Sequence, residues 1–183
     1  MNGMMDQLRE IGAVREGHFP EADGSCSRVR VSMPRLFQRP EQTQRIAAQM
    51  VELLAGTSPD LVVGVGEGSI ILAYELARQM NARCLHALRH NGTMTVRREF
   101  DVTPGERALI VEDVVLTGKS IRETVELLRA LNVGILGISA ILDMSEGRAH
   151  FRFPFYPLAG LSRGNAPRRI CPLCRAGVPL TQE

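Results

Sequence analysis

The chain has 183 residues, 44% of them hydrophobic and 23% charged, with a formal net charge of +2, which fits one globular domain with a sizeable core. So small a charge gives no electrostatic case for nucleic acid, and 4% aromatics without tryptophan leave no stacking platform for single strands. No apolar run approaches the roughly 20 residues of a membrane span, and the polar N-terminal run MNGMMDQLREIG carries no apolar signal core, so the expected compartment is the cytoplasm, with reduced thiols.

Residues 41–55, EQTQRIAAQMVELLA, predict an amphipathic helix closed by Gly56 to Pro59. DLVVGV, residues 60–65, is a short apolar run suited to a parallel strand. GEGS follows, then a second helix in IILAYELARQMN, then a strand over 83–88, RCLHAL. The polar stretch RHNGTMTVRREFDVTPGER contains Gly92, Pro104 and Gly105 and reads as a mobile loop or a hairpin. ALIVEDV is a strand, KSIRETVELLRALN a helix and GILGISAILDM another buried strand. From about residue 150 the chain is rich in Pro and Arg and predicts short strands or irregular structure. Alternating strands and helices predict an α/β fold, a parallel sheet with helices on both faces. With no repeat and no linker, residues 1–183 read as a single domain.

The chemistry concentrates where the strand ALIVEDV ends. Ligands of a parallel sheet gather beyond the carboxyl ends of its strands, and Glu112 and Asp113 stand at such an end. Thr117, Gly118, Lys119 and Ser120 then offer backbone N–H groups, hydroxyls and one cation at a helix start, a set suited to a phosphate monoester. The two carboxylates would repel a phosphate, so they suit ribose hydroxyls, or a Mg²⁺ carried in by a polyphosphate. The run is not a Walker loop, because Asp113 stands five residues before Gly118 where that motif needs glycine.

VEDVVLTGKS resembles the signature of type I phosphoribosyltransferases, which bind phosphoribosyl pyrophosphate (PRPP). GAVREGHF, RLFQRPE, GEGSIILAYELARQ, NGTMTVRREF, PGERALIVEDVV and CPLCRAGVPL extend the likeness, over about residues 11 to 180, to the orotate phosphoribosyltransferase branch in its shorter bacterial and archaeal form. The resemblance implies a hood segment, from about 11–40 plus 150–183, beside a core over about 41–149. It implies Glu112 and Asp113 on the ribose hydroxyls, directly or with Mg²⁺ at Asp113. Val114, Val115, Leu116 and Thr117 to Ser120 would form the 5′-phosphate loop, and Val65, Gly66, Glu67 and Gly68 the turn at the pyrophosphate. Arg89 matches an arginine used on the pyrophosphate. Residues 90–105 match a mobile loop that closes over the neighbouring subunit's site, which implies a homodimer with shared active sites. Arg97 and Arg98 lie in that loop, either as its charges or as a solvated basic face.

Several positions depart from the branch. Leu116 stands where a threonine or similar polar residue sits beside the base, and Thr93 where the loop carries a lysine. Met144 follows Asp143 where an arginine clamps the orotate carboxylate, and Met33 replaces a lysine near the hood. Glu67 adds a negative charge to the pyrophosphate turn, and Lys119 replaces what is often glycine. Contacts to ribose and 5′-phosphate persist while contacts to an anionic base and to the leaving group weaken. Losing a bidentate Arg–carboxylate contact costs on the order of several kcal/mol. Leu116, Met144 and Met33 therefore read either as a base pocket altered toward a less charged heterocycle or as ordinary core.

Cys171 and Cys174 have the CxxC spacing of zinc ligands, but Cys26 and Cys84 are isolated, so a four-Cys site needs the fold to gather them. No helix start is evident after Cys171, which argues against a redox motif. The histidines are scattered, with His90 alone in the loop. Two functional classes follow. One is a PRPP-dependent transferase that joins ribose 5-phosphate to a ring nitrogen of a heterocyclic base with Mg²⁺. The other is a paralogue that senses PRPP or a nucleotide without turnover. The purine-salvage branch shares the TGKS ending but has an aspartate where Leu116 stands.

Overall fold

The computed structural model describes residues 3–181. In chain order its elements are α1 (Met4–Glu10), β1 (Val14–Pro20), β2 (Ser25–Val31), α2 (Pro34–Phe37), α3 (Pro40–Leu53), β3 (Leu61–Val65), α4 (Ile70–Met80), β4 (Arg83–His90), β5 (Thr93–Val96), β6 (Arg107–Val115), α5 (Lys119–Ala130), β7 (Gly134–Asp143), β8 (Phe155–Gly160), β9 (Ala166–Pro167) and α6 (Pro172–Arg175). They divide into two compact units, one over Arg39–Gly160 and one from the chain up to Gln38 together with Leu161 onward.

The larger unit holds a six-stranded sheet in the order β5-β4-β3-β6-β7-β8. All neighbours run parallel except the β4–β5 pair. The helices follow from their apolar spacing. In α3 the buried positions are Thr43, Ile46, Ala47 and Met50, and in α5 they are Ile121, Thr124, Val125 and Leu128. Both sets step by three, one and three, a single helical stripe. Pro40 starts α3, where its missing N–H costs nothing. Every residue of β3 is buried, as a strand covered on both faces requires. Leu61, Val63 and Val65 of β3 share one core cluster with Ala108 and Ile110 of β6 and with Ile121, Val125 and Leu128 of α5.

Two readings that the sequence left open are resolved here. The polar stretch after β4 is a hairpin at its start: β5 pairs antiparallel with β4 through His90 and Thr93. Asn91 (φ 49°) and Gly92 (φ 82°) supply two consecutive positive φ angles, the requirement of a two-residue hairpin turn. The segment from 150 does not all leave the core, because Phe155–Gly160 is the edge strand β8, parallel to β7. Of the two readings offered for it, short strands or irregular chain, the first holds at 155–160, where an edge strand tolerates proline. Phe151, Phe153 and Phe155, at a period of two, pack against the core cluster.

The smaller unit is a three-stranded antiparallel sheet in the order β1-β2-β9. The β1–β2 register shifts between Glu16 and Phe19, a bulge that contains His18. Leu8, Val14, Phe19, Leu36 and Phe37 form its apolar interior. Thr181 ties down the C-terminal segment: its N–H donates to the His18 carbonyl at 2.8 Å, and its Oγ1 accepts the His18 N–H at 2.9 Å. A helix does begin after Cys171, contrary to expectation. Pro172 sets the dihedral of its first residue, and the single turn runs to Arg175.

Candidate active site

The connections of the central sheet reverse direction between β3 and β6. From β3 the chain crosses through α4 to β4 on one side, and from β6 it crosses through α5 to β7 on the other. Such a switch point leaves a crevice at the carboxyl ends of the two diverging strands. The turn after β3, Gly66 followed by a single 3₁₀ turn over Glu67–Ser69, and the turn after β6 both open there.

Asp113 joins the two turns. Its N–H donates to Ser69 Oγ at 3.0 Å, and its Oδ1 accepts the Val114 N–H at 2.9 Å. A side chain at Gly68 would place Cβ 2.7 Å from Asp113 Oδ2, so glycine there is what lets the carboxylate lie against the first turn. Glu112 is its neighbour along β6. Burial, and then the Asp113 charge, push the Glu112 carboxyl up to about 8. Burial also raises Asp113. Two partly buried carboxylates side by side resist double ionisation and are stabilised by a hydroxyl donor or a cation.

Beyond the acids, Leu116 and Thr117 lead to Gly118, which caps α5 in the left-handed region at φ 68°. A Cβ on Gly118 would also meet the Phe151 ring at 2.7 Å. No side chain caps this helix. Thr117 Oγ1 accepts the Lys119 N–H at 3.3 Å, and the Arg122 N–H donates to the Gly118 carbonyl. The first turn of a 12-residue helix therefore presents its positive end beside the acids. Lys119 extends outward, with Nζ 4.0 Å from Glu123 Oε1.

Gly66, Glu67, Arg89, His90, Arg97 and Arg98 line one cavity of about 500 Å³. The turn after β3, Arg89 and the loop arginines Arg97 and Arg98 thus line the same cavity. The Arg89 guanidinium, however, is held elsewhere: one nitrogen donates to the Gly92 carbonyl at 2.6 Å and another pairs with Glu123 of α5. Val65 is buried at the end of β3. The three residues read from the sequence as a base pocket differ in burial. Leu116 is 42% exposed, Met144 is buried, and Met33 is buried in the smaller unit. Within the larger unit Met144 is tied to the residue before Leu116, its N–H donating to the Val115 carbonyl at 2.8 Å.

Sequence reasoning missed Ser69, Glu123 and His86. Ser69 had a signal in the GEGS turn; Glu123 had none, because its partner lies on a different strand. His86 lines the same cavity as the arginines and packs its ring edge-on to Phe100 at 4.9 Å.

Residues 36–159 match the phosphoribosyl transferase domain. The chain belongs to the phosphoribosyltransferase family. Such a protein is a pentosyltransferase, and its relatives narrow the branch. An orotate phosphoribosyltransferase from Caldanaerobacter subterraneus subsp. tengcongensis is 36% identical over 179 residues, 98% of this chain and 94% of that one. One from Thermotoga maritima is 40% identical over 172 residues, 94% of this chain and 92% of the relative. Among solved structures, orotate phosphoribosyltransferase from Aeropyrum pernix superposes with a TM-score of 0.75 at 23% identity, covering 87% of this chain and 94% of that one. Adenine phosphoribosyltransferase from Rhodothermus marinus gives 0.66 at 20% identity, covering 86% and 98%; at these identities the structures speak for the phosphoribosyltransferase fold alone. No helix among the described residues is long and apolar enough to cross a membrane.

Proposed function

We propose that this phosphoribosyltransferase transfers ribose 5-phosphate from PRPP to a ring nitrogen of a pyrimidine or related heterocycle, releasing pyrophosphate. The observation that carries the reading is the Asp113 carboxylate lodged against Gly68, which brings an acidic pair, a glycine turn and an uncapped helix start to one crevice.

Each part has a matching role. Glu112 and Asp113 accept hydrogen bonds from the ribose hydroxyls. The N–H groups and hydroxyls of Thr117 to Ser120 hold the 5′-phosphate at the helix start. The Gly66–Gly68 backbone approaches the pyrophosphate, and Arg97 and Arg98 supply positive charge from the same cavity wall. The bond from the anomeric carbon to pyrophosphate breaks as the bond to the ring nitrogen forms, and the electron pair leaves with the pyrophosphate. Positive charge on the departing phosphates and exclusion of water from the ribose cation are the chain's contributions.

The donor set fits Mg²⁺: paired oxygen ligands whose carboxyls burial pushes up, so that a cation would favour their ionised forms. Asp113 and Glu112 would hold it; when bound it neutralises charge on the pyrophosphate. The reading includes a cytoplasmic homodimer in which the segment after β4 reaches the partner's site; sedimentation tests the assembly.

Orotate is the first base to assay, because the relatives bear its name. Leu116 offers it an apolar edge. Pyrophosphate release from PRPP and Mg²⁺ with orotate, then with a panel of uncharged bases, tests the proposal. Activity with one of them, reduced about 10³-fold or more by Glu112→Ala with Asp113→Ala, supports it. PRPP binding without turnover on any base would identify a sensor instead.

A further inference from the structure

The smaller unit brings together side chains that the reaction does not use. His18 on β1, Cys26 on β2, and Cys171 and Cys174 at the start of α6 place their ligand atoms within 4.8 Å of one another. All four lie within that one unit. His18, Cys26 and Cys171 are each only 2% exposed, and all three cysteines are free thiols. The fourth cysteine, Cys84, lies on β4 and takes no part.

We propose that His18, Cys26, Cys171 and Cys174 form a structural Cys₃His zinc site. Tetrahedral zinc, with Zn–S of about 2.3 Å and Zn–N of about 2.0 Å, needs ligand–ligand edges of about 3.8 Å between sulfurs and about 3.6 Å from sulfur to nitrogen. The Cys26 and Cys174 sulfurs are 3.6 Å apart. His18 Nε2 lies 3.3 Å from the Cys174 sulfur and 3.8 Å from that of Cys171. The ligands therefore already have the spacing of a coordination shell.

The surroundings suit a metal as well. His18 Nδ1 lies 2.8 Å from the Val178 carbonyl, so it carries the proton and leaves the Nε2 lone pair facing the three sulfurs; a carbonyl behind a ligating imidazole fixes its tautomer and orientation in this way. Soft thiolates with one imidazole select zinc over magnesium or calcium. Four protein ligands leave no open position, so the site closes structure rather than performing chemistry. It also answers a packing problem, since a unit with so few large apolar side chains has little core of its own to hold residues 171–181 against β1 and β2.

The chain is expressed with zinc supplied, purified under reductant and analysed for metals. One zinc per chain is expected, and exchange for cobalt(II) should give strong tetrahedral ligand-field bands with a near-ultraviolet thiolate-to-metal band. Cys26→Ser and His18→Ala should each lower zinc affinity at least about tenfold against a competing chelator, while Cys84→Ser keeps full occupancy. Should those variants fail to fold, the wild-type chain decides: a strong chelator should lower its thermal midpoint and expose three additional reactive thiols, and added zinc should reverse both. Protein that carries no zinc and whose midpoint ignores zinc overturns the proposal. So does a disulfide between any two of the three cysteines under the same reductant, or loss of the metal on Cys84→Ser.

Discussion

Asp113 Oδ2 occupies the space that a side chain at Gly68 would fill, 2.7 Å from the position of its Cβ. Gly68→Ala must therefore move the carboxylate or the turn. A displacement of about 1 Å in a positioned group costs about 100-fold in rate, so kcat/KM for PRPP should fall by roughly that factor. Gly134→Ala, whose Cβ meets only ordinary contacts at 3.7 Å and beyond, should leave it unchanged. Steady-state pyrophosphate release on both variants checks this.

Glu112 gives the stability a pH dependence with a definite sign. Its carboxyl rises from 4.5 to about 8 on folding, so between those values the folded state holds a proton that the unfolded state has lost. Stability is highest below pH 4.5 as far as this group is concerned and declines as pH rises toward 8. Burial raises Asp113 in the same direction. Glu112→Gln should flatten the fall by on the order of a few kcal/mol. Denaturant midpoints at pH 6 and pH 9 measure it: the variant should gain on the wild type at the higher pH.

The same raised carboxyl predicts proton release on ligand binding. A ribose or Mg²⁺ that takes the ionised Glu112 must displace its proton at neutral pH, so affinity for Mg²⁺ and PRPP should strengthen from pH 6.5 to 8.5. Calorimetry in two buffers of different ionisation enthalpy should detect the released proton, and Glu112→Gln should reduce it.

Arg89 and Glu123 pair across the β4–α5 boundary with about a third of each side chain exposed. Such pairs contribute about 0–1 kcal/mol, so Arg89→Met should scarcely change the thermal midpoint. If Arg89 leaves Glu123 for the pyrophosphate, kcat/KM should fall about 10²-fold or more. Glu123→Gln, which frees the arginine, should preserve activity.

Leu116 and Met144 call for different substitutions. Arginine at 144 would bury a charge where Met144 is 3% exposed, at a cost of several kcal/mol. Leu116 is exposed, so Leu116→Thr tests the base edge with little effect on folding. It should raise kcat/KM for orotate relative to an uncharged base.

The central sheet was legible because its strands are short apolar runs and its helices carry one apolar stripe each, as in Ile121, Thr124, Val125 and Leu128. The acidic pair and the glycine turn after it could be read together as a candidate site because they are contiguous. The Arg89–Glu123 pair was not legible, since 34 residues separate its members. Nor was His18 beside the cysteines: it lies in a register shift between Glu16 and Phe19 that no sequence period marks, and only tertiary closure brings Cys171 within reach. Pro154 and Pro157 left β8 open between a short strand and irregular chain, because their meaning depends on lying at a sheet edge.

The two units also differ in when they can be completed during synthesis. Arg39–Gly160 is one continuous stretch, so every contact of its sheet is available before residue 161 leaves the ribosome. His18 and Cys26 emerge early yet wait for Cys171, Cys174 and Thr181. The nascent β1–β2 hairpin therefore spends translation without its partners, as the interval most open to thiol oxidation or to capture by chaperones.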